Sequence, residues 1–254
     1  IVTTLQKRGD INGKTGESLL LPHVDGLTAE RVLLVGAGSG EALSRNEAGS
    51  LLTAIANALG KHKITDAVMM LDEITVADRE TEWLAQQAAR KLVHSTYRCD
   101  QFKKDKKPSP LGNVIWHISN AKQTKTLDKI LATGTAIGKG MAFARDLGNL
   151  PGNICTPSYL AEQAIELGKK FRSVHVKVLE EKQMRTLKMG SLLSVSAGSD
   201  EPAKLVIMDY QGANNTTRQK SGKPIVLIGK GITFDTGGIC IKPGAGMEEM
   251  KFDM

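Results

Sequence analysis

The chain has 254 residues, 41% hydrophobic and 24% charged, with a formal net charge of +7 and a pI near 9.3. That length and balance exclude a disordered chain and supply enough apolar surface for a core without disulfides or structural metals. Three cysteines at wide spacing, Cys99, Cys155 and Cys240, exclude a disulfide framework and a zinc finger.

No run reaches the roughly 18 apolar residues of a membrane-spanning helix, no signal-peptide pattern opens the chain, and reduced thiols fit the cytoplasm. The positive charge bears on solubility and association rather than on fold. Its densest cluster, Lys103, Lys104, Lys106 and Lys107, stands beside Pro108 and Pro110 without aromatics spaced for base stacking, and reads as a solvated loop.

From Ile1 the chain runs straight into a helix-like stretch. Residues 19–21 and 31–35 read as strands, and 44–59 as a helix with Ser44 as N-cap and Glu47 completing a capping box. Between them, Gly36, Gly38 and Gly40 follow a strand. A dinucleotide fingerprint needs its third glycine where Glu41 stands, so a plain strand-end loop is expected. Residues 67–71 read as a buried strand, 79–93 as a helix with Trp83, Ala88 and Leu92 at helical spacing, and 114–118 as another strand. This alternation predicts an α/β layer domain. Residues 126–147 lack proline and carry Leu127, Ile130, Leu131, Ile137 and Met141 on a helical period, predicting one long connecting helix ended by Gly148 and Asn149.

A second α/β pattern follows. A helix is predicted over 157–171, with Pro157 in its first turn, and a short one over 181–187. Strands are predicted over 174–179, 192–195, 205–208 and 225–228, with a polar turn over 212–222. The expected domains are residues 1–123, a connecting helix 124–148, and the first part of a second domain over 149–254. His23, His62, His94, His117 and His175 are scattered without ligand spacing, and no G-x-S-x-G elbow is present.

Chemistry concentrates at the C-terminal end. The segment G-K-G-I-T-F-D-T-G-G-I-C-I-K-P runs from Gly229 to Pro243, and M-K-F-D-M closes the chain. The predicted strand delivers Lys230 and Asp235 to its far end, glycines allow tight turns and close backbone approach, and Lys242 and Asp253 follow. Carboxylates are hard oxygen ligands for divalent cations. A lysine ligates only as the neutral amine, and one left charged can stabilise an oxyanion. By spacing alone, a metal site and a strand–turn–strand with surface ion pairs both remain open.

These two segments resemble the signature of the leucyl aminopeptidase family, the M17 metallopeptidases, in a bacterial-type form. R-D-L-G-N-L-P-G-N, from Arg145 to Asn153, resembles the family's junction between connecting helix and catalytic domain. The resemblance implies an N-terminal α/β domain joined by a long helix to the start of an α/β catalytic domain with a mixed central sheet. It implies that Lys230 ligates one of two metals, Asp235 bridges both, and Asp253 is a further ligand of the Lys230 metal. Lys242 would hold the tetrahedral gem-diolate, and Met250 would line the pocket for the substrate's N-terminal side chain. Thr236 and Cys240 stand where relatives often carry serine.

The implied cofactors are two divalent ions, manganese or zinc, with magnesium and cobalt as alternatives. The family's bicarbonate would need an arginine in N-T-D-A-E-G-R, a segment that does not occur in this sequence. The chain is therefore expected to be incomplete at both ends and inactive by itself. Implied partners are peptide substrates and, for the whole protein, a homohexamer. The alternative is a DNA-binding architectural or regulatory protein using the basic surface.

Overall fold

The computed structural model describes residues 1–40, 42–212 and 223–250. Asp253, an expected ligand, and residues 213–222 of the expected turn lie outside them. The chain divides into two compact units, Ile1–Arg145 and Asp146–Met254.

The first unit opens with helix α1 (Val2–Arg8), closed by Gly9 in the left-handed region at φ 78°. Strands β1 (Ser18–Leu21) and β2 (Val32–Val35) pair antiparallel, Ser18 opposite Val35. The glycines that follow β2 serve backbone packing: Gly36 donates to the Glu17 carbonyl, and a Cβ on it would stand 2.1 Å from the Lys14 carbonyl oxygen. Helix α2 (Arg45–Lys61) starts where the sequence places it. The Ser44 hydroxyl accepts the Glu47 N–H at 3.2 Å, and the Glu47 carboxylate accepts the Ser44 N–H at 2.8 Å.

Strand β3 (Asp66–Met69), helix α3 (Thr81–Thr96) and strand β4 (Asn113–Trp116) complete a β-α-β pattern in which β3 and β4 pair parallel. Leu51, Leu52, Ile55 and Leu59 of α2 recur at three- and four-residue steps and bury one stripe against Leu84, Ala88 and Leu92 of α3. Met69 and Trp116 meet this core from the sheet, whereas Val68 and Ile115 point the other way and stay exposed. Helix α4 (Thr124–Asn149) is one continuous helix that runs across the boundary between the two units. Within the first unit it approaches α3 through glycine. A Cβ on Gly134 would lie 2.3 Å from the Gln86 carbonyl oxygen, and one on Gly138 would lie 2.8 Å from the Val93 Cβ.

In the second unit, Thr156 caps α5 (Pro157–Lys170) by accepting the Tyr159 N–H. Strand β5 (Val174–Glu180) leads into α6 (Glu181–Thr186) and α7 (Gly190–Ser196). Strand β6 (Lys204–Tyr210) pairs antiparallel with β5 along its length. Leu179, fully buried Met184 and Ala203 form a small core.

Two strand expectations are corrected. Residues 192–195 lie in α7: Leu192 and Leu193 both pack on the Met184 cluster, which neighbouring residues of a strand, facing opposite ways, could not do. Residues 225–228 form no strand. Their four side chains, from Ile225 to Ile228, are 72–95% exposed, and no strand among the described residues pairs with them. An apolar run becomes a strand only when a neighbour accepts its backbone hydrogen bonds. No described helix is long and apolar enough to cross a membrane.

Candidate metal centre

The glycine-rich segment folds on itself around Asp235. Gly237 takes φ 89°, and a Cβ there would stand 2.3 Å from the Cys240 carbonyl oxygen, so only glycine fits this turn. The turn lets the Gly237 N–H donate to Asp235 Oδ1 at 2.8 Å. The Lys242 N–H donates to the Thr236 carbonyl at 2.8 Å and closes the loop. Lys242 Nζ thereby reaches Asp235 Oδ2 at 3.1 Å.

The Gly237 hydrogen bond, then that from Lys242, and then the charges of Lys242 and Lys230 hold the Asp235 carboxyl below its ordinary range. The structure thus brings Asp235 and Lys242 into contact and sets Lys230 close enough for its charge to act on the carboxylate. The side chains of the Asp235–Lys242 pair are 38% and 31% exposed, so both remain partly open to solvent. Met250 is half-buried in the turn after Gly246, its N–H donating to the Met247 carbonyl. Behind Asp235, Gly152 of the R-D-L-G-N-L-P-G-N segment lies against Phe234: a Cβ on it would be 3.0 Å from the Phe234 Cβ.

The donors suit a hard divalent cation. Asp235 is an anion at neutral pH, and each of its oxygens accepts one hydrogen bond, leaving a lone pair on each. Lys230 would add a nitrogen donor only as the neutral amine. No three His, Cys, Asp or Glu side chains converge among the described residues, so these residues fit part of a metal site through one carboxylate and one amine.

A second polar group was not legible from spacing. Asp72, just past β3, meets His117, just past β4, at 3.4 Å and also accepts from Ser119. Parallel pairing of β3 with β4 brings these residues together across 45 positions of sequence. Of the basic residues, Lys103, Lys104, Lys106 and Lys107 are all exposed, as expected of a solvated loop.

Comparison with known proteins identifies the two domains. The model of the cytosol aminopeptidase family N-terminal domain matches residues 1–106, and that of the same family's catalytic domain matches residues 142–254. A probable cytosol aminopeptidase of Pseudomonas fluorescens (strain Pf0-1) is 46% identical over 254 residues, covering 100% of this chain and 50% of that protein. One from Alkalilimnicola ehrlichii (strain ATCC BAA-1101 / DSM 17681 / MLHE-1) is 44% identical over 255 residues, with the same coverage. The chain spans about half the length of the curated relatives it matches.

Among solved structures, the bottromycin maturation enzyme BotP in complex with Mn aligns with a TM-score of 0.76 at 25% identity, covering 98% of this chain and 49% of that one. A mutant of tomato leucine aminopeptidase shares the fold, with a TM-score of 0.68 at 24% identity, covering 88% of this chain and 42% of that one. On its two matched domains and its similarity to these relatives along the whole of this chain, the chain belongs to the cytosol aminopeptidase family, the M17 peptidases.

Proposed function

We propose that the protein carrying this chain is a two-metal aminopeptidase that releases N-terminal residues, leucine-like ones preferred, from peptides. The single observation that carries this reading is the Asp235 carboxylate, held ionised by the Gly237 N–H and Lys242 inside the segment that resembles the M17 signature. Family membership and the names of the relatives, probable cytosol aminopeptidases, agree with it.

Asp235, Lys230 and Asp253 would hold the ions. Manganese or zinc, with magnesium and cobalt as alternatives, suits a donor set of carboxylates and one amine, and the related BotP was solved with Mn. When bound, such a pair supplies a Lewis acid for the peptide carbonyl and lowers the pKa of water. Binding through Lys230 requires the amine and so releases a proton. Lys242 stays cationic, leaves Asp235, and meets the negative charge that develops on the carbonyl oxygen. Met250 would face the substrate's N-terminal side chain. The chain alone has no N-T-D-A-E-G-R segment and is proposed to be inactive; the whole protein is proposed to be a homohexamer, which light scattering after gel filtration would test.

The experiment is Lys242→Ala in the full protein. Metal content stays unchanged, while turnover of leucine-p-nitroanilide falls by about 10²–10³, the usual effect of losing one oxyanion donor. Unchanged turnover would remove Lys242 from the mechanism.

A second reading, binding to DNA, has one observation in its favour. An open groove of about 930 Å³ along α2 is lined by Arg45, Lys61, His62 and Lys91 and by no carboxylate. Contacts to phosphate would give affinity that falls steeply with salt in a gel-shift titration. Binding that is absent, or indifferent to salt, would dismiss this reading.

A further inference from the structure

We propose that His94 is an acid-sensitive latch that releases the end of α4 from α3 when it gains a proton. The contact between these helices has two halves. The first is a close backbone approach: Gly134 sits against the Gln86 carbonyl and Ala89, and Gly138 sits against the Arg90 carbonyl and Val93. The second is polar. Arg90 Nη1 reaches the Met141 sulfur at 3.8 Å, Arg145 Nη1 lies 3.5 Å from His94 Nε2, and the Arg145 guanidinium stands 4.0 Å over the Tyr97 ring. Positions 86–97 of α3 and its cap therefore step in register with positions 134–145 of α4, ending at His94, Tyr97 and Arg145.

The chemistry of the latch follows from which group can donate. A guanidinium has only donors, so His94 Nε2 must accept and the ring must be neutral, with its hydrogen on Nδ1. Nδ1 is buried and has no hydrogen-bond partner among the described residues. A proton on Nε2 removes the acceptor and leaves two cations facing each other at that separation. Among the described residues, no negative charge acts on His94 to compensate. The charges acting on His94 are those of Arg145 on α4 and of Lys91 and Arg90 on α3, all positive. Burial, then these charges in that order, lowers the affinity of His94 for a proton below that of a free histidine.

The sign is fixed by linkage. A histidine with a lowered folded pKa binds fewer protons folded than unfolded, so the contact is intact at pH 7.5 and is lost as pH falls below the ordinary histidine value of 6.5. The latch closes on Arg145, the last residue of the first unit, while α4 itself continues to Asn149. Release therefore frees the segment of α4 that leads out of the first unit. The glycine half of the contact contains no titrating partner and stays in place.

Two measurements on the chain test this. The first is amide hydrogen exchange at residues 141–145, corrected for intrinsic rates, at pH 7.5 and 5.5. Protection falls several-fold in the wild type, bounded at about tenfold per pH unit for one proton. In His94→Gln, which keeps a neutral acceptor, it does not fall. The second uses the wild type alone: the Tyr97 ring resonances shift with the same midpoint as the His94 ring proton. Acid loss that persists in His94→Gln, or Tyr97 resonances that ignore the His94 titration, would overturn the latch.

Discussion

Gly134→Ala isolates the close approach of α4 to α3. The added Cβ would stand 2.3 Å from the Gln86 carbonyl oxygen and 3.0 Å from the Ala89 Cβ. The first partner is helix backbone and cannot rotate aside, so the two helices must separate by about 1 Å to restore ordinary contact. Overpacking of this kind costs about 1–3 kcal/mol, and a backbone partner puts it near the top of that range. Alanine returns about 1 kcal/mol of helix propensity. The balance is a loss of about 2 kcal/mol, or about 4–8 °C in Tm for a chain of this size.

Gly140→Ala on the same helix meets nothing within 4 Å. It should keep the propensity gain and raise Tm by about 2–4 °C. Urea and thermal unfolding followed by circular dichroism measure both. The opposite signs are the test: a Gly134→Ala chain as stable as wild type, or more so, would refute the helix contact as described.

Other outcomes follow from the same structure. Ser44→Ala removes the hydroxyl half of the capping box and should cost about 1 kcal/mol in denaturant unfolding; no loss would mean that α2 does not depend on its cap. The carboxylates of Asp66, bonded to Asn113, and of Glu47, bonded to Ser44, are held below their ordinary range. Their hydrogen bonds contribute stability that is present above the unfolded carboxylate pKa and lost as pH falls through the folded value. Acid unfolding of Asp66→Asn should thus be less steep than that of the wild type, and an identical acid limb would contradict this.

What the sequence made legible was local. The Ser44–Glu47 box spans four residues, α4 repeats its apolar positions over many turns, and Pro157 and Thr156 mark the start of α5, so each could be placed from neighbours alone. Asp235 and Lys242 were legible as members of one glycine-rich segment, but their ion pair, seven positions apart across the turn, was not specified by spacing. Partners set by packing were not visible. Residues 192–195 and 225–228 have strand composition, yet one became helix where Leu192 and Leu193 found Met184, and the other has no pairing strand among the described residues. His94 meets Arg145 across 51 residues and His117 meets Asp72 across 45, separations at which spacing carries no signal.

The account rests on Asp235 and Lys230 sharing a divalent ion. Anomalous diffraction from crystals of the full protein grown with Mn²⁺ addresses this directly. The predicted result is a manganese peak bonded to an Asp235 oxygen and the Lys230 amine, with Lys242 displaced from the carboxylate. Manganese bound only at other side chains, with the Asp235–Lys242 ion pair intact, would contradict it.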